Sequence, residues 1–278
     1  MTTLRKAIDS HAGQHRNALL KHLAAAGINE WEDLTRSRLN SLRDSLRQNT
    51  APNTGKTYLA VLRTILKRFG DDISLPCRDY SSILRIRGDT TIKFALTRSE
   101  LVSFNGVAIG NAKEKYVHDT FVVSCLTGMR HSDMIRIGIE NITGGLLTYS
   151  SRKTHIVATV PVAASTVKLI EGMRECPVSV SLAEYNRVLK RLAERAEIVE
   201  TVSVHRAGQD KTVRKCDSIS SHCARVTFCT LLAEKGVSVN DICMLAGHTN
   251  PMMTSRYIAR RQPALTEEQM YFFTIPEG

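Results

Sequence analysis

At 278 residues with 42% hydrophobic side chains, the chain can fill one large domain or two ordinary ones, which excludes an intrinsically disordered protein. A formal net charge of +11 and a pI near 9.5 favour a polyanionic partner, nucleic acid or an anionic membrane surface. No stretch approaches the roughly 20 apolar residues of a membrane span and the N-terminus has no signal-peptide core, so a soluble cytoplasmic protein is expected.

Residues 1–88 read as helices. A first is expected from about Leu4 to Ala25, stopped by Gly27, and a second from about Glu30 to Gln48. A third starts at Pro52, after the turn-forming Asn49 to Asn53 segment, and ends near Gly70. In that third helix Tyr58, Leu62, Ile65, Leu66 and Phe69 share one face, and Lys56, Arg63 and Lys67 share the opposite one. Such a basic stripe fits a solvated surface and fits a helix lying along phosphates. The second reading gains from the charge of the region, 15 Lys/Arg against 8 Asp/Glu in residues 1–88. Gly55-Lys56-Thr57 imitates the end of a phosphate-binding loop, but position 50 is Thr where the earlier glycine is required.

Residues 85–93 are polar and turn-prone, and Thr97 with Glu100 forms a capping-box pattern behind them. The expected division is therefore a helical domain over 1–88, a linker over 89–94 and a second domain over 95–278. The second domain reads as mainly helical except from Ile142 to Val162, where Gly144-Gly145 and alternating apolar residues predict a small sheet of two or three strands. The seven cysteines (Cys77, Cys125, Cys176, Cys216, Cys223, Cys229, Cys243) include no CxxC pair and read as reduced, mostly buried thiols. A zinc site from Cys216, His222, Cys223 and Cys229 lacks the paired spacing of structural sites, and no metal is expected.

Toward the C-terminus, Ser220 or Ser221 can cap a helix running to Gly236, with Ala224, Phe228, Leu231 and Leu232 as its buried stripe. His222 and Arg225, at i and i+3, share a face beside that stripe. Gly247 ends a further helix and leaves His248 on a loop. Asn250-Pro251 then caps a last helix expected to carry Tyr257. Far upstream stands Arg130, in Leu-Thr-Gly-Met-Arg-His-Ser-Asp. Singly, each histidine or tyrosine is an ordinary capping or packing residue. In this order, two arginines, two histidines and a tyrosine suit the cutting and rejoining of a phosphodiester.

With those residues in view, the chain resembles the tyrosine recombinase (phage integrase) family. Arg130 in Thr-Gly-Met-Arg, with Asp133 three residues on, matches the family's first arginine motif and its supporting acidic residue. His222-Cys-Ala-Arg225 matches the His-x-x-Arg box, His248 the Gly-His motif, and Tyr257 follows at the usual offset. Lys153, in Arg-Lys-Thr at a predicted hairpin turn, matches the family's sheet lysine, although Arg152 is adjacent. Ala246 stands where the family usually has Leu. The resemblance spans about residues 95–260.

It implies a mainly α fold with a small antiparallel β-sheet: a helical core-binding domain followed by the recombinase catalytic domain. It also implies Tyr257 as nucleophile, Arg130 and Arg225 as phosphate ligands, His222 as base, Lys153 as acid and His248 as orienting donor, with no cofactor. Further implied are double-stranded DNA core sites as partners, a C-shaped clamp and a homotetramer on DNA, nucleoid-associated when bound; accessory DNA-bending proteins stay unspecified. The roughly 90 residues before the catalytic part suffice for a core-binding domain alone, so an arm-site domain is not expected. Tyr271 is the competing nucleophile, in a tail whose Phe272, Phe273 and Ile275 dock either on a neighbouring protomer or on their own domain. Three functions stay open: a mobile-element integrase, a resolvase of chromosome or plasmid dimers, and a DNA-binding protein without catalysis.

Overall fold

The computed structural model describes residues 2–88, 94–175, 179–206 and 209–258. The chain divides into two compact units, Met1–Ile92 with Ser203–Thr212, and Lys93–Val202 with Val213–Gly278. Of the expected linker 89–94, all but Phe94 lies outside the described residues, as do Tyr271 and the rest of the tail.

The first unit holds α1 (Leu4–His11), α2 (Arg16–Ala25), α3 (Arg36–Asn49), α4 (Pro52–Phe69) and the short α5 (Tyr80–Ile83). Two expected helices are corrected. The first is broken by a 3-10 turn, Gly13–His15, into α1 and α2. The second begins as a separate 3-10 turn, Trp31–Asp33, because Asp33 folds back to accept the Asn29 and Glu30 N–H groups. Thr35 then caps α3 afresh by accepting from the Arg38 N–H. Helix α4 runs as expected, with Pro52 in its first turn and Leu62, Ile65 and Leu66 buried in the unit's apolar core. Leu59 is buried with them and belongs to the same stripe.

The second unit contains α6 (Arg98–Asn105), α7 (Ala112–Thr127), α8 (His131–Met134), β1 (Ile142–Thr143), β2 (Leu146–Ser150), β3 (Val157–Pro161), α9 (Ala164–Glu175) and α10 (Leu182–Arg195). Strands β4 (Thr201–Arg206) and β5 (Gln209–Arg214) pair as a hairpin whose middle groups with the first unit. Then come α11 (Lys215–Ser218), α12 (Ser221–Glu234), α13 (Val239–Ala246) and α14 (Pro251–Ser255). The capping box of α6 forms, with Thr97 accepting from Glu100 N–H and Glu100 from Thr97 N–H. The hairpin β4–β5 falls in a stretch expected to be helical; Thr201, Val202, Val204, Thr212 and Val213 favour strands, since β-branched side chains lose rotamer freedom in a helix.

The expected small sheet is β1-β2-β3, antiparallel throughout. Leu147 opposes Val160 and Tyr149 opposes Ala158, all on the buried face, while Leu146, Thr148 and Thr159 face out. This is the alternation that period-two side-chain geometry imposes. Helix α7 is buried nearly all round and supplies Phe121 to one apolar cluster and Val123 to the other. The cluster containing Val123 also takes in the sheet, Phe228 of α12, Ile242 of α13, and Tyr257. It is the floor on which the candidate site stands.

Candidate active site

Helix α7 ends at Gly128 in the left-handed conformation, φ 70°, its N–H returning to the Ser124 carbonyl. Any Cβ there would meet the Phe228 ring at 2.4 Å, so both the backbone and the packing demand glycine. The reversal turns the Gly128 carbonyl toward Arg225, whose Nη1 donates to it at 2.7 Å. Two residues on, Arg130 occupies the N-cap of α8 and its Nη1 donates to the Ser151 hydroxyl at 2.9 Å.

Arg225 lies in α12, which is buried on all sides from Cys223 to Thr230, and this corrects the expected single stripe. Val226, Cys229 and Thr230 are buried there, whereas Leu231 and Leu232 are half-buried. Arg225 is 1% exposed, among the largest fully buried side chains, while its i−3 neighbour His222 is exposed. Burial first, then the Arg130 charge, pull Arg225 below the usual guanidinium range. A buried guanidinium beside a second, half-buried one is costly without an anion between them, and one buried Arg225 nitrogen, Nη2, has no protein partner.

Helix α13 ends at Gly247, again left-handed at φ 60°, and places His248 beneath α14. Nε2 of His248 accepts from Arg225 Nε at 3.1 Å, and Nδ1 lies 2.8 Å from the Thr254 hydroxyl. An acceptor role at Nε2 puts the neutral ring's proton on Nδ1, aimed at Thr254, which is fully buried. His248 thus holds the guanidinium in this arrangement.

Helix α14 is shorter than expected. Asn250 caps it, accepting from Met253 N–H, and Pro251 opens it, but it ends at Ser255, so Tyr257 sits in the following turn and not on the helix. The Tyr257 N–H bonds the Thr254 carbonyl at 2.8 Å, so the last helical turn still fixes its position. Its ring is 8% exposed, 4.6 Å from the His248 ring and 5.1 Å from the His222 ring, with the Arg225 guanidinium carbon 5.7 Å from its centroid. A cation over an aromatic face is attracted by the ring quadrupole.

Lys153 is exposed on the tight turn between β2 and β3, where Ser151 N–H bonds the Ile156 carbonyl and His155 takes a positive φ. The turn is tied to α8 twice, by Arg130 on Ser151 and by Asp133 Oδ1 accepting from Arg152 N–H at 2.9 Å. Asp133 therefore supports the lysine turn directly. Asp133 Oδ2 is buried without a protein partner.

The structure brings Arg130, Arg225, His248, Tyr257 and His222 to one place and anchors the Lys153 turn beside Arg130. Lys56, Arg63 and Lys67 belong to α4 in the first unit. Lys56 and Lys67 are exposed and Arg63 is half-buried, its Nε lacking a protein partner. Cys216 and Cys223 pack in one core cluster and Cys229 in the other, and among the described residues no three metal-ligating side chains converge. Ser151, Thr254 and the Gly128 carbonyl escaped the sequence reading, since a serine, a threonine and a main-chain oxygen carry no signal alone. Tyr149 was visible in principle: strand alternation puts its hydroxyl on the same buried face as Leu147.

Residues 95–263 match the Phage integrase family. No curated protein matches the chain by sequence. Among solved structures, a lambda integrase(75–356) dimer bound to a COC' core site aligns with TM-score 0.68 at 16% identity, covering 95% of this chain and 98% of that one. The Tn1549 transposon integrase in complex with a circular intermediate DNA aligns with TM-score 0.68 at 15% identity, over 98% and 99% of the two chains. The XerH site-specific recombinase bound to palindromic difH aligns with TM-score 0.63 at 13% identity, over 95% and 78%. These likenesses establish a shared fold, and no helix among the described residues is long and apolar enough to cross a membrane. The match over residues 95–263 spans more than half of the chain, which therefore belongs to the phage integrase family of tyrosine recombinases.

Proposed function

We propose that the chain is a site-specific recombinase that cleaves and rejoins DNA through a 3′-phosphotyrosyl intermediate, working for an integrating mobile element. The observation that carries this reading is the seating of the Tyr257 ring between His222 and His248 and over Arg225.

Transfer of a phosphoryl group spreads negative charge over the non-bridging oxygens, so fixed positive groups carry most of the catalysis. Arg130 and Arg225 fill that role, since each guanidinium offers parallel donors that match phosphate geometry. Tyr257 Oη attacks phosphorus as His222 takes its proton, a phenol otherwise reacting slowly at neutral pH. The phosphorus–O5′ bond breaks and Lys153 protonates the leaving oxygen. His248 orients Arg225 through Nε2, and a hydrogen bond from that nitrogen to phosphate requires the Arg225 bond to open and Nε2 to gain a proton. Because the ester preserves the bond, attack by a 5′ hydroxyl restores DNA without a nucleotide cofactor.

The first unit supplies backbone contacts through Lys56, Arg63 and Lys67, with assembly into a tetramer on paired core sites. The lambda and Tn1549 integrases in the DNA complexes named above support the mobile-element role. The XerH likeness supports dimer resolution as the second reading.

The test is covalent capture from a pool of random-sequence duplexes carrying a nick, so that the short leaving fragment diffuses away and the adduct persists. Wild-type protein should yield adducts on a denaturing gel, Tyr257→Phe none, and Tyr271→Phe as many as wild type. An adduct surviving in Tyr257→Phe would overturn the nucleophile. Sequencing the captured DNA then separates the two readings, by placing its sites at the ends of a mobile element or at a chromosomal or plasmid dimer-resolution site.

A further inference from the structure

Among the described residues, six buried side-chain polar atoms have no hydrogen-bond partner, and three of them, Asp133 Oδ2, Tyr149 Oη and Arg225 Nη2, belong to residues near enough for Asp133 and Arg225 to act electrostatically on Tyr149. All three residues are at least nine-tenths buried, at 2%, 5% and 1% exposure. A single orphaned polar atom in a packed interior is costly, and three on electrostatically coupled residues call for a common explanation. Their chemistry is complementary. Arg225 Nη2 has a hydrogen to give, the Tyr149 hydroxyl can accept one and give one, and Asp133 Oδ2 can only accept.

The electrostatics agree with the proximity. Burial raises the Tyr149 phenol above its ordinary range, and after burial the charges acting on it are those of Arg225, Asp133 and Arg130. The phenol is therefore a neutral O–H, the form a relay needs. Its backbone is rigidly placed, because Tyr149 sits in β2 opposite Ala158, one register step from the pair that leads into the Lys153 turn. Arg225 Nε is bonded to His248, one Nη1 hydrogen to Gly128, and Asp133 Oδ1 to Arg152 N–H; with one Nη2 hydrogen on Tyr149, the second hydrogens of Nη1 and Nη2 remain for the phosphate.

We propose that Tyr149 is a positioning residue of the strand-transfer reaction, its hydroxyl accepting from Arg225 Nη2 and donating to Asp133 Oδ2 when the scissile phosphate is seated. The relay rests on the recombinase reading above. It ties the guanidinium that holds the phosphate to the carboxylate that holds the lysine turn, so that the phosphate ligand and the leaving-group acid keep one relative position. Tyr149 touches neither the phosphate nor the leaving oxygen and acts through Arg225 and Asp133.

The test uses a nicked duplex recovered by the covalent capture already described, with the full-length chain. Tyr149→Phe keeps the ring in the core and removes one oxygen, so its thermal midpoint should match wild type. Its rate of adduct formation should fall about ten-fold, while its affinity for the same duplex, read by gel shift, changes less than two-fold. A wild-type rate, or a rate loss matched by an equal loss of affinity, overturns the relay. Failure of the wild-type protein to capture any duplex removes the recombinase reading itself and the relay with it.

Discussion

Replacing Gly128 by alanine tests whether the pocket is held open by a main-chain reversal that only glycine permits. At φ 70° an L-residue carries a cost of about 1–2 kcal/mol. The added Cβ would lie 2.4 and 2.8 Å from Cδ1 and Cε1 of Phe228, which is itself buried in the cluster under the site. Phe228 is only 5% exposed and packed in that cluster, so overpacking adds about 1–3 kcal/mol. The sum, about 2–5 kcal/mol, is a large fraction of the 5–15 kcal/mol typical of a folded protein. Gly144 provides the control, because its φ of 58° imposes the same backbone strain while nothing lies within 4 Å of where an alanine methyl would stand. In urea unfolding followed by far-ultraviolet circular dichroism, Gly144→Ala should lose about 1–2 kcal/mol and Gly128→Ala about 1–3 kcal/mol more. Adding Phe228→Leu to Gly128→Ala should recover part of the excess. Equal losses at the two glycines would refute the steric half of the reasoning. Covalent capture should suffer further in Gly128→Ala, because the Gly128 carbonyl that accepts from Arg225 moves with the strained backbone.

Lys153→Ala should slow cleavage of an ordinary duplex by about a hundred-fold, the usual scale of general acid catalysis, yet much less when the leaving group is a 5′ thiol that needs no proton. Equal slowing on both would take Lys153 out of the acid role. Glu114 is held below its ordinary range first by the Arg195 guanidinium and then by the Gly110 N–H. A depressed carboxylate stabilises the fold fully above its unfolded value and loses that contribution as pH falls through the folded one. Stability measured by urea midpoint should therefore decline below about pH 4.5. Glu114→Gln should cost about 1 kcal/mol at pH 7, discounted for the exposed Arg195, and flatten that decline. Lys215 and Glu100 form an ion pair at 2.6 Å with the lysine side chain 5% exposed. Lys215→Met leaves the carboxylate beside an apolar neighbour and should cost about 3–5 kcal/mol, read in the same unfolding assay.

How much of this was legible depended on whether a residue's neighbours in sequence were also its neighbours in space. Helix α4 could be read because Pro52, Gly70 and a stripe at helical spacing all act locally. The capping box at Thr97 and the three-stranded sheet are local in the same way. The break at Gly13–His15 was missed because apolar periodicity continues on both sides of it, and a single glycine inside a periodic run is ordinarily tolerated. Tyr257 lies just past α14 for a similar reason: the cap at Asn250 fixes where a helix starts and says little about its stop. In the candidate site the residue types that carry charge or a phenol were visible. What they touch was not, since Arg225 reaches Gly128 across 97 sequence positions and Arg130 reaches Ser151 across 21.

Those long-range contacts place few demands on the sequence around them. Each guanidinium is oriented by atoms that many sequences can supply: a main-chain carbonyl for Arg225 and a small hydroxyl for Arg130. The charge itself has no such substitute. Burying Arg225 beside Arg130 lowers the stability of the cationic form, a cost that an anion between the two groups would offset. On the proposed recombinase reading, the pocket holds its electrostatic complement to phosphate before DNA arrives, which leaves little reorganisation for the moment of transfer. By the same logic the supporting residues must be rigid, because a guanidinium displaced by an ångström no longer meets the oxygens where charge develops. The elements that carry them (the left-handed turn at Gly128, the tied β2–β3 turn and the Thr254-anchored His248) are each fixed by bonds or packing on two sides.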